Sequence, residues 1–278
     1  MPDREALQAE LAEARAQIKA WESQRVTLRR PLYFVPGLSD ESGESCWGTP
    51  GEKNSFHGVM NRICSNPIYA RFHRFLVGSP PHPPHHEDFI TFGADLARRI
   101  WDDVSHSGEE VDVVCHSMGG LDTFAAIALL DDYPELGVQP LRLVDNVITF
   151  DTPFTGFNAA DNAIFMKLKK QQRPDEPTLI SQAIALKTGA LRMHEVDQRR
   201  DRFLQNVRAF YPRGADNFGG LLEVPHESAS FGKQSDFAPE WRDRYRPYVS
   251  WEDTTHSGPR GVTRDLRAIV EVVTLLTT

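Results

Sequence analysis

The chain has 278 residues, 40% of them hydrophobic and 25% charged, which is an ordinary balance for a globular protein and long enough for one large domain. The formal net charge of -8 argues against nucleic acid as the main partner, because a phosphate backbone requires a basic surface. No apolar run is long enough to cross a bilayer, and the acidic N-terminal segment lacks the apolar core of a secretory signal. We therefore expect a cytoplasmic protein.

Three cysteines, Cys46, Cys64 and Cys115, are present. An odd and low number of cysteines favours free thiols in a reducing compartment over a disulfide framework. Pairing of Cys46 with Cys64 stays open as the alternative for an exported protein.

The first predicted element is an amphipathic helix over residues 3–28, within an N-terminal segment 1–29. Apolar residues recur at spacings of four and three and form a single stripe. They are Leu7, Leu11, Ala14, Ile18 and Trp21. This stripe indicates either an arm for homo-oligomerisation or a helix packed on its own domain. Because about two heptads are too few for a stable isolated coiled coil, we favour packing on the same chain.

Residues 30–278 alternate short apolar runs with amphipathic segments. Strands are predicted at 32–35, 71–77, 111–114, 144–150 and 248–251, and helices at 89–104, 119–130 and 263–276. Residues 39–56 are predicted to form a long loop, and residues 152–240 are helix-rich without a clear strand. This alternation indicates an α/β fold with a mostly parallel central sheet and helices on both faces.

The most informative stretch runs from Val113 to Leu121 and reads Val-Val-Cys-His-Ser-Met-Gly-Gly-Leu. A strand enters it and an apolar helix leaves it, so Ser117 lies at a tight corner that requires small neighbours. The stretch resembles the nucleophile elbow of lipases and esterases in the α/β-hydrolase superfamily, usually Gly-His-Ser-Met-Gly-Gly, with Cys115 replacing the first glycine. The resemblance implies that Ser117 is the nucleophile and that the amide of Met118 binds an oxyanion. A serine that only caps the helix is the alternative.

The early segment Val35-Pro36-Gly37-Leu38 is similar to the Val-His-Gly-Leu of bacterial lipases, with proline in place of histidine. The resemblance implies that the amide of Leu38 is the second donor to the oxyanion. An ordinary turn at the end of a strand would have the same sequence features. The resemblance also implies a helical cap or lid, which we assign to residues 152–240.

A serine hydroxyl needs a base to accept its proton, and the chain has ten histidines. His256 lies between the last predicted strand and the last helix, where this fold carries its catalytic histidine. His116 is adjacent to Ser117, so we expect it to point away and to pack or bond locally. His82, His85 and His86 form a proline-interrupted cluster that we interpret as an exposed loop rather than a metal site.

The acid that would orient the histidine has three candidates in the sequence. Asp151 follows the strand after the elbow helix, where pancreatic-type lipases of this fold carry their acid. Most other members take the acid from the next strand, and there Asp216 and Glu223 are the alternatives, because the matching position is Leu221.

The sequence therefore predicts a serine hydrolase that cleaves a small-molecule or lipid ester by a Ser-His-Asp triad, with no metal or organic cofactor. An acyltransferase, thioesterase or amidase on the same fold remains an alternative. A catalytically silent hydrolase-like module that binds a partner is the alternative from another class.

Overall fold

The computed structural model describes residues 4–37, 44–66, 70–72, 89–156, 191–215, 224, 226–256 and 260–277. A parallel sheet of six strands runs through these residues, in the order β2-β1-β3-β4-β5-β6. The strands are β1 (Leu32–Val35), β2 (Ala70–Phe72), β3 (Val111–His116), β4 (Val144–Phe150), β5 (Val207–Ala215) and β6 (Val249–Trp251).

The described residues also form nine α-helices. They are α1 (Arg4–Gln24), α2 (Glu44–Trp47), α3 (Phe56–Ile63), α4 (Phe89–Val104), α5 (Met118–Ala128), α6 (Leu191–Gln198), α7 (Arg200–Gln205), α8 (His226–Ala229) and α9 (Leu266–Thr277). Helices α4 to α7 contribute to the core on one face of the sheet, and α1, α2, α3 and α9 contribute to the core on the other.

The strands bury side chains on both faces because successive residues of a strand point to opposite sides. In β1, Tyr33 and Val35 pack with α4 and α5, whereas Leu32 and Phe34 pack with α1, α3 and α9. All four are almost fully buried. Strands buried on both sides explain why these segments are continuous apolar runs in the sequence.

The predicted fold class is confirmed: the sheet is parallel, helices cover both faces and an extra helix precedes the first strand. That helix, α1, packs against α3 and α9 and buries Ala14 and Ile18 of the predicted stripe. Association of two chains through α1 stays a prediction. The three cysteines are free and buried. Within the residues described, no helix has both the length and the apolar character needed to cross a bilayer.

Two sequence interpretations were wrong in part. Strand β5 lies in the middle of the segment 152–240 that was interpreted as lacking a strand. Its sequence contains Pro212, Arg213 and Gly214, which interrupt the apolar pattern on which strand prediction depends. Helix α2 lies within the predicted loop 39–56 and buries Cys46 and Trp47. The lid itself stays a prediction, since residues 157–190 are outside the described part of the chain.

The strand order reverses between β1 and β3. The chain passes from β1 outward to β2 and then returns to the other side of β1 to form β3. In open parallel sheets, the crevice at the carboxyl ends of two such strands is where ligands bind. The segments that leave β1 and β3 at this crevice begin at Pro36 and Ser117.

Near the amino end of the central strand β3, away from this crevice, Asp112 is buried. Its Oδ1 accepts hydrogen bonds from the backbone and side-chain nitrogens of Asn146, at 3.1 and 2.8 Å. Burial raises the pKa of Asp112 to about 6, the neighbouring Asp145 adds to the rise, and Arg30 opposes it. The folded protein therefore binds this proton more tightly than the unfolded chain does.

This shift predicts how stability depends on pH. Ionised Asp112 should cost the folded state up to about 3 kcal/mol above pH 6, and the cost should disappear as the pH falls towards 4. Asp112→Asn should therefore raise the free energy of unfolding more at pH 8 than at pH 4.5, where about a third of the cost remains, as measured by urea unfolding. Asp102→Asn, at an exposed position of α4, is the control. An equal effect of Asp112→Asn at both pH values would contradict the prediction.

Candidate active site

Ser117 lies at the corner between β3 and α5 in a strained conformation, with φ 55° and ψ -129°. Its backbone nitrogen donates to the carbonyl oxygen of Phe150 at 2.8 Å, which extends the pairing of β3 with β4 past the last strand residue. The side chain forms no capping hydrogen bond to α5. A role as helix cap therefore does not account for this serine.

Two glycines make room for this corner. A Cβ atom on Gly37 would lie 2.7 Å from Ser117 Cβ, and one on Gly119 would lie 2.4 Å from the carbonyl oxygen of Pro36. Both distances are shorter than real contacts of a Cβ atom. The turn after β1 and the corner after β3 thus touch directly, backbone against backbone.

Cys115 occupies the position where the elbow motif usually has glycine. The structure accommodates its side chain because it points into the core, where Sγ lies 3.4 Å from the carbonyl oxygen of Ile148. Burial raises the pKa of the Cys115 thiol strongly, and the nearby carboxylate of Asp122 raises it further. The thiol therefore stays protonated and is not a competing nucleophile.

His256 lies in the connection between β6 and α9 and reaches Ser117 across the carboxyl edge of the sheet. Its Nε2 is 3.1 Å from Ser117 Oγ, within hydrogen-bond distance. The preceding residue, Thr255, donates its amide to the carbonyl oxygen of Arg260 and accepts from the amide of Val262. These two hydrogen bonds stabilise the backbone next to His256.

Asp151 follows β4 with φ 48° and is buried beside His256. Its backbone nitrogen donates to the carbonyl oxygen of Arg213, and its Oδ1 accepts from the amide of Ala215, both at 2.9 Å. The other carboxylate oxygen, Oδ2, lies 3.5 Å from His256 Nδ1. Neither Oδ2 nor Nδ1 has a hydrogen-bond partner among the described residues. The carboxylate therefore faces the imidazole nitrogen opposite Ser117.

His116 packs against the ring of His256, but its hydrogen bonds join it to residues far along the chain and not to local ones. Its Nε2 lies 2.7 Å from the carbonyl oxygen of His256, and its Nδ1 lies 3.1 Å from Cys46 Sγ. Burial lowers the pKa of His116 to about 3, and the neighbouring His256 contributes to the decrease. His116 is therefore neutral near pH 7. No pattern in the sequence predicts that Cys46 belongs to this region.

The structure thus brings Ser117, His256 and Asp151 together. Met118 is the first residue of α5, where backbone amides have no acceptor within the helix. The predicted residues Leu38, Asp216 and Glu223 lie outside the described residues. So do His82, His85 and His86. The residues that are described contain no group of three side chains suited to hold a metal ion.

One family model matches part of the chain. Residues 82–209 match the family described as "Putative serine esterase (DUF676)". None of the curated proteins matches the sequence.

Three solved structures are similar to this chain. The mature form of a lipase from Bacillus licheniformis is 19% identical, with a TM-score of 0.54, and the match covers 90% of this chain and 92% of the lipase. A phospholipase from Legionella pneumophila is 12% identical, with a TM-score of 0.59 and coverage of 91% and 60%. A monoacylglycerol lipase from Paleococcus ferrophilus is 11% identical, with a TM-score of 0.52 and coverage of 91% and 96%.

The close approach at Gly37 predicts the effect of adding one methyl group. Gly37→Ala should push the corner at Ser117 out of position and slow the phosphonylation of Ser117 by a fluorophosphonate by at least about tenfold. The added methyl group would meet the Cβ and Oγ atoms of Ser117 and the carbonyl oxygen of His116, and it can be accommodated only if this corner moves. Gly51→Ala is the matched control, since a Cβ there meets nothing within 4 Å. If both variants react at the wild-type rate, the described contact does not constrain the serine.

Proposed function

We propose that this chain, which has the α/β-hydrolase fold, is a serine hydrolase that cleaves carboxylic esters with Ser117, His256 and Asp151. The observation that carries the proposal is the 3.1 Å separation between Ser117 Oγ and His256 Nε2. The two residues are 139 positions apart in the sequence, so that the fold, and not local chain geometry, is responsible for the contact. A nucleophile and a base at hydrogen-bond distance are the minimum requirement for acyl transfer.

In the proposed first step, Ser117 Oγ forms a bond with the ester carbonyl carbon and its proton passes to His256 Nε2. For this transfer, neutral His256 carries its own proton on Nδ1, which faces Asp151 Oδ2. The carbonyl π bond opens and its oxygen becomes an oxyanion. When the carbonyl forms again, the bond to the leaving alkoxide breaks and the alcohol receives the proton from Nε2.

The oxyanion requires donors that are already in place. The amide of Met118 is suited to this role because it follows the serine at the start of α5, where the helix dipole favours negative charge. The proposed second donor is the amide of Leu38. It is the next residue after Gly37, which touches Ser117.

Asp151 has two proposed tasks, orientation of the imidazole and stabilisation of the imidazolium that forms when Ser117 loses its proton. The two carboxylate oxygens have different partners. Oδ1 accepts the amide of Ala215, which fixes the carboxylate plane, and Oδ2 is directed at His256 Nδ1. Because both side chains are buried, the interaction is weakly screened by solvent.

In the proposed second step, water attacks the acyl group on Ser117, gives its proton to His256 Nε2, and the acid product leaves as Ser117 recovers the proton. Apart from the ester and water, the groups named in these steps are residues of the chain. The ester as substrate class is supported by the family match over residues 82–209 and by the similarity to lipases. An acyltransferase, thioesterase or amidase would share the first step and differ in the leaving group or the acceptor.

A fluorophosphonate probe tests the role of the serine. The wild-type protein should incorporate one probe molecule. Ser117→Ala should abolish the labelling and lower the rate of p-nitrophenyl ester hydrolysis by about three orders of magnitude or more. Ser107→Ala, at a serine on the loop after α4, should retain both. Esters of increasing chain length give the acyl preference. Absence of labelling in the folded wild-type protein would instead support a silent binding module.

The acid is tested by three amide substitutions. Asp151→Asn should lower kcat by about a hundredfold to ten-thousandfold, because the amide favours the wrong histidine tautomer. Asp216→Asn and Glu223→Gln, the other two candidates from the sequence, should each change kcat by less than about threefold. A silent Asp151→Asn together with a large loss in either of the other variants would transfer the role to that residue.

A further inference from the structure

We propose that Cys46 and His116 are positioning residues: together they hold the segment that carries His256 and the turn at Gly37 in register with Ser117. The inference rests on the proposed function, since it assigns a role within that site. It is carried by a series of buried hydrogen bonds that joins three distant parts of the chain.

The direction of each hydrogen bond follows from the chemistry of the groups. A carbonyl oxygen can only accept, so the 2.7 Å contact with the His256 carbonyl places a proton on His116 Nε2. Since neutral imidazole carries one proton, Nδ1 is an acceptor. The thiol of Cys46, 3.1 Å away, therefore donates to Nδ1. Cys46 Sγ in turn accepts from the amide of Gly37 at 3.5 Å.

The series thus runs from the Gly37 amide through the Cys46 thiol and the His116 ring to the carbonyl of His256. Its two ends are the residue that abuts Ser117 and the residue that carries the proposed base. The ring of His256 is hydrogen-bonded to Ser117 through Nε2 and faces Asp151 with Nδ1, whereas the backbone carbonyl of His256 accepts a hydrogen bond from His116. The rings of His116 and His256 also pack with their centroids 4.6 Å apart.

Helix α2 has an independent connection to the same final segment. Trp47 on α2 is fully buried and packs edge-on against Phe34 and Phe56, which anchors the helix in the core. Arg264, just beyond the segment of His256, donates to the carbonyl oxygen of Glu44 at 3.3 Å. It also forms an ion pair with Glu52. Helix α2, which carries Cys46, is therefore held both by the core packing of Trp47 and by the hydrogen bond from Arg264.

A positioning role differs from a purely structural one in its kinetic signature. Loss of an orienting hydrogen bond should misplace the base in the transition state and lower kcat, whereas substrate binding is unaffected. A general loss of stability would instead lower the amount of folded enzyme and the melting temperature. The inference therefore predicts a change in kcat with an almost constant KM.

The test uses paired substitutions in the full-length protein. Cys46→Ala and His116→Phe should each lower kcat for a p-nitrophenyl ester, and the rate of fluorophosphonate labelling at Ser117, by about tenfold to a hundredfold, with KM within about twofold. Cys46→Ser retains an O–H donor, and His116→Gln retains an N–H near the position of Nε2. These two variants should recover most of the lost rate.

Cys64→Ala is the matched control, because Cys64 is also fully buried but lies at the end of α3, away from these hydrogen bonds. It should leave kcat within about twofold of wild type, whatever its effect on the melting temperature.

The inference is overturned if Cys46→Ala and His116→Phe lower kcat no more than Cys64→Ala does. It is also overturned if Cys46→Ser is as slow as Cys46→Ala and His116→Gln is as slow as His116→Phe. Failure of the proposed function would be distinguishable, because the wild-type protein itself would then not be labelled at Ser117.

Discussion

The site depends on one steric constraint, the contact between two backbone turns at the carboxyl edge of the sheet. Ser117 can adopt its strained conformation because Gly37 and Gly119 have no Cβ atoms that would separate the turn after β1 from the corner after β3. Strain of this kind persists only when the surrounding structure holds it in place. Here the amide of Ser117 is bonded to Phe150, so the sheet itself fixes the corner.

The parallel sheet brings the other two groups of the site to the same edge. Parallel strands have their carboxyl ends on one side, so the residues that follow β3, β4 and β6 converge although they are far apart in sequence. Asp151 and His256 both follow strands in this way. The backbone of Asp151 is bonded to Arg213 of β5, and its side chain accepts a hydrogen bond from the amide of Ala215. The strand order alone is therefore sufficient to bring these residues to the same edge of the sheet.

How much could be predicted from the sequence follows from the nature of each signal. The corner at Ser117 was predictable because strand, small residues and helix are contiguous, and His256 because chain order restricts it. Asp151 could not be separated from its alternatives, since a carboxylate at a strand end has no local signature. Strand β5 was missed because Pro212 and Gly214 break its apolar pattern. The contact of Cys46 with His116, 70 positions away, could not be predicted from sequence periodicity.

A serine nucleophile at position 117 would become acylated during turnover. The most direct measurement is acid quenching of the enzyme during hydrolysis of a p-nitrophenyl ester, followed by mass spectrometry of its peptides. We expect an added acyl mass on the peptide that contains Ser117, and none on that peptide when His256→Gln is treated in the same way. An acyl group on a different residue, or rapid turnover with no acylated peptide under conditions where deacylation is rate-limiting, would contradict this expectation.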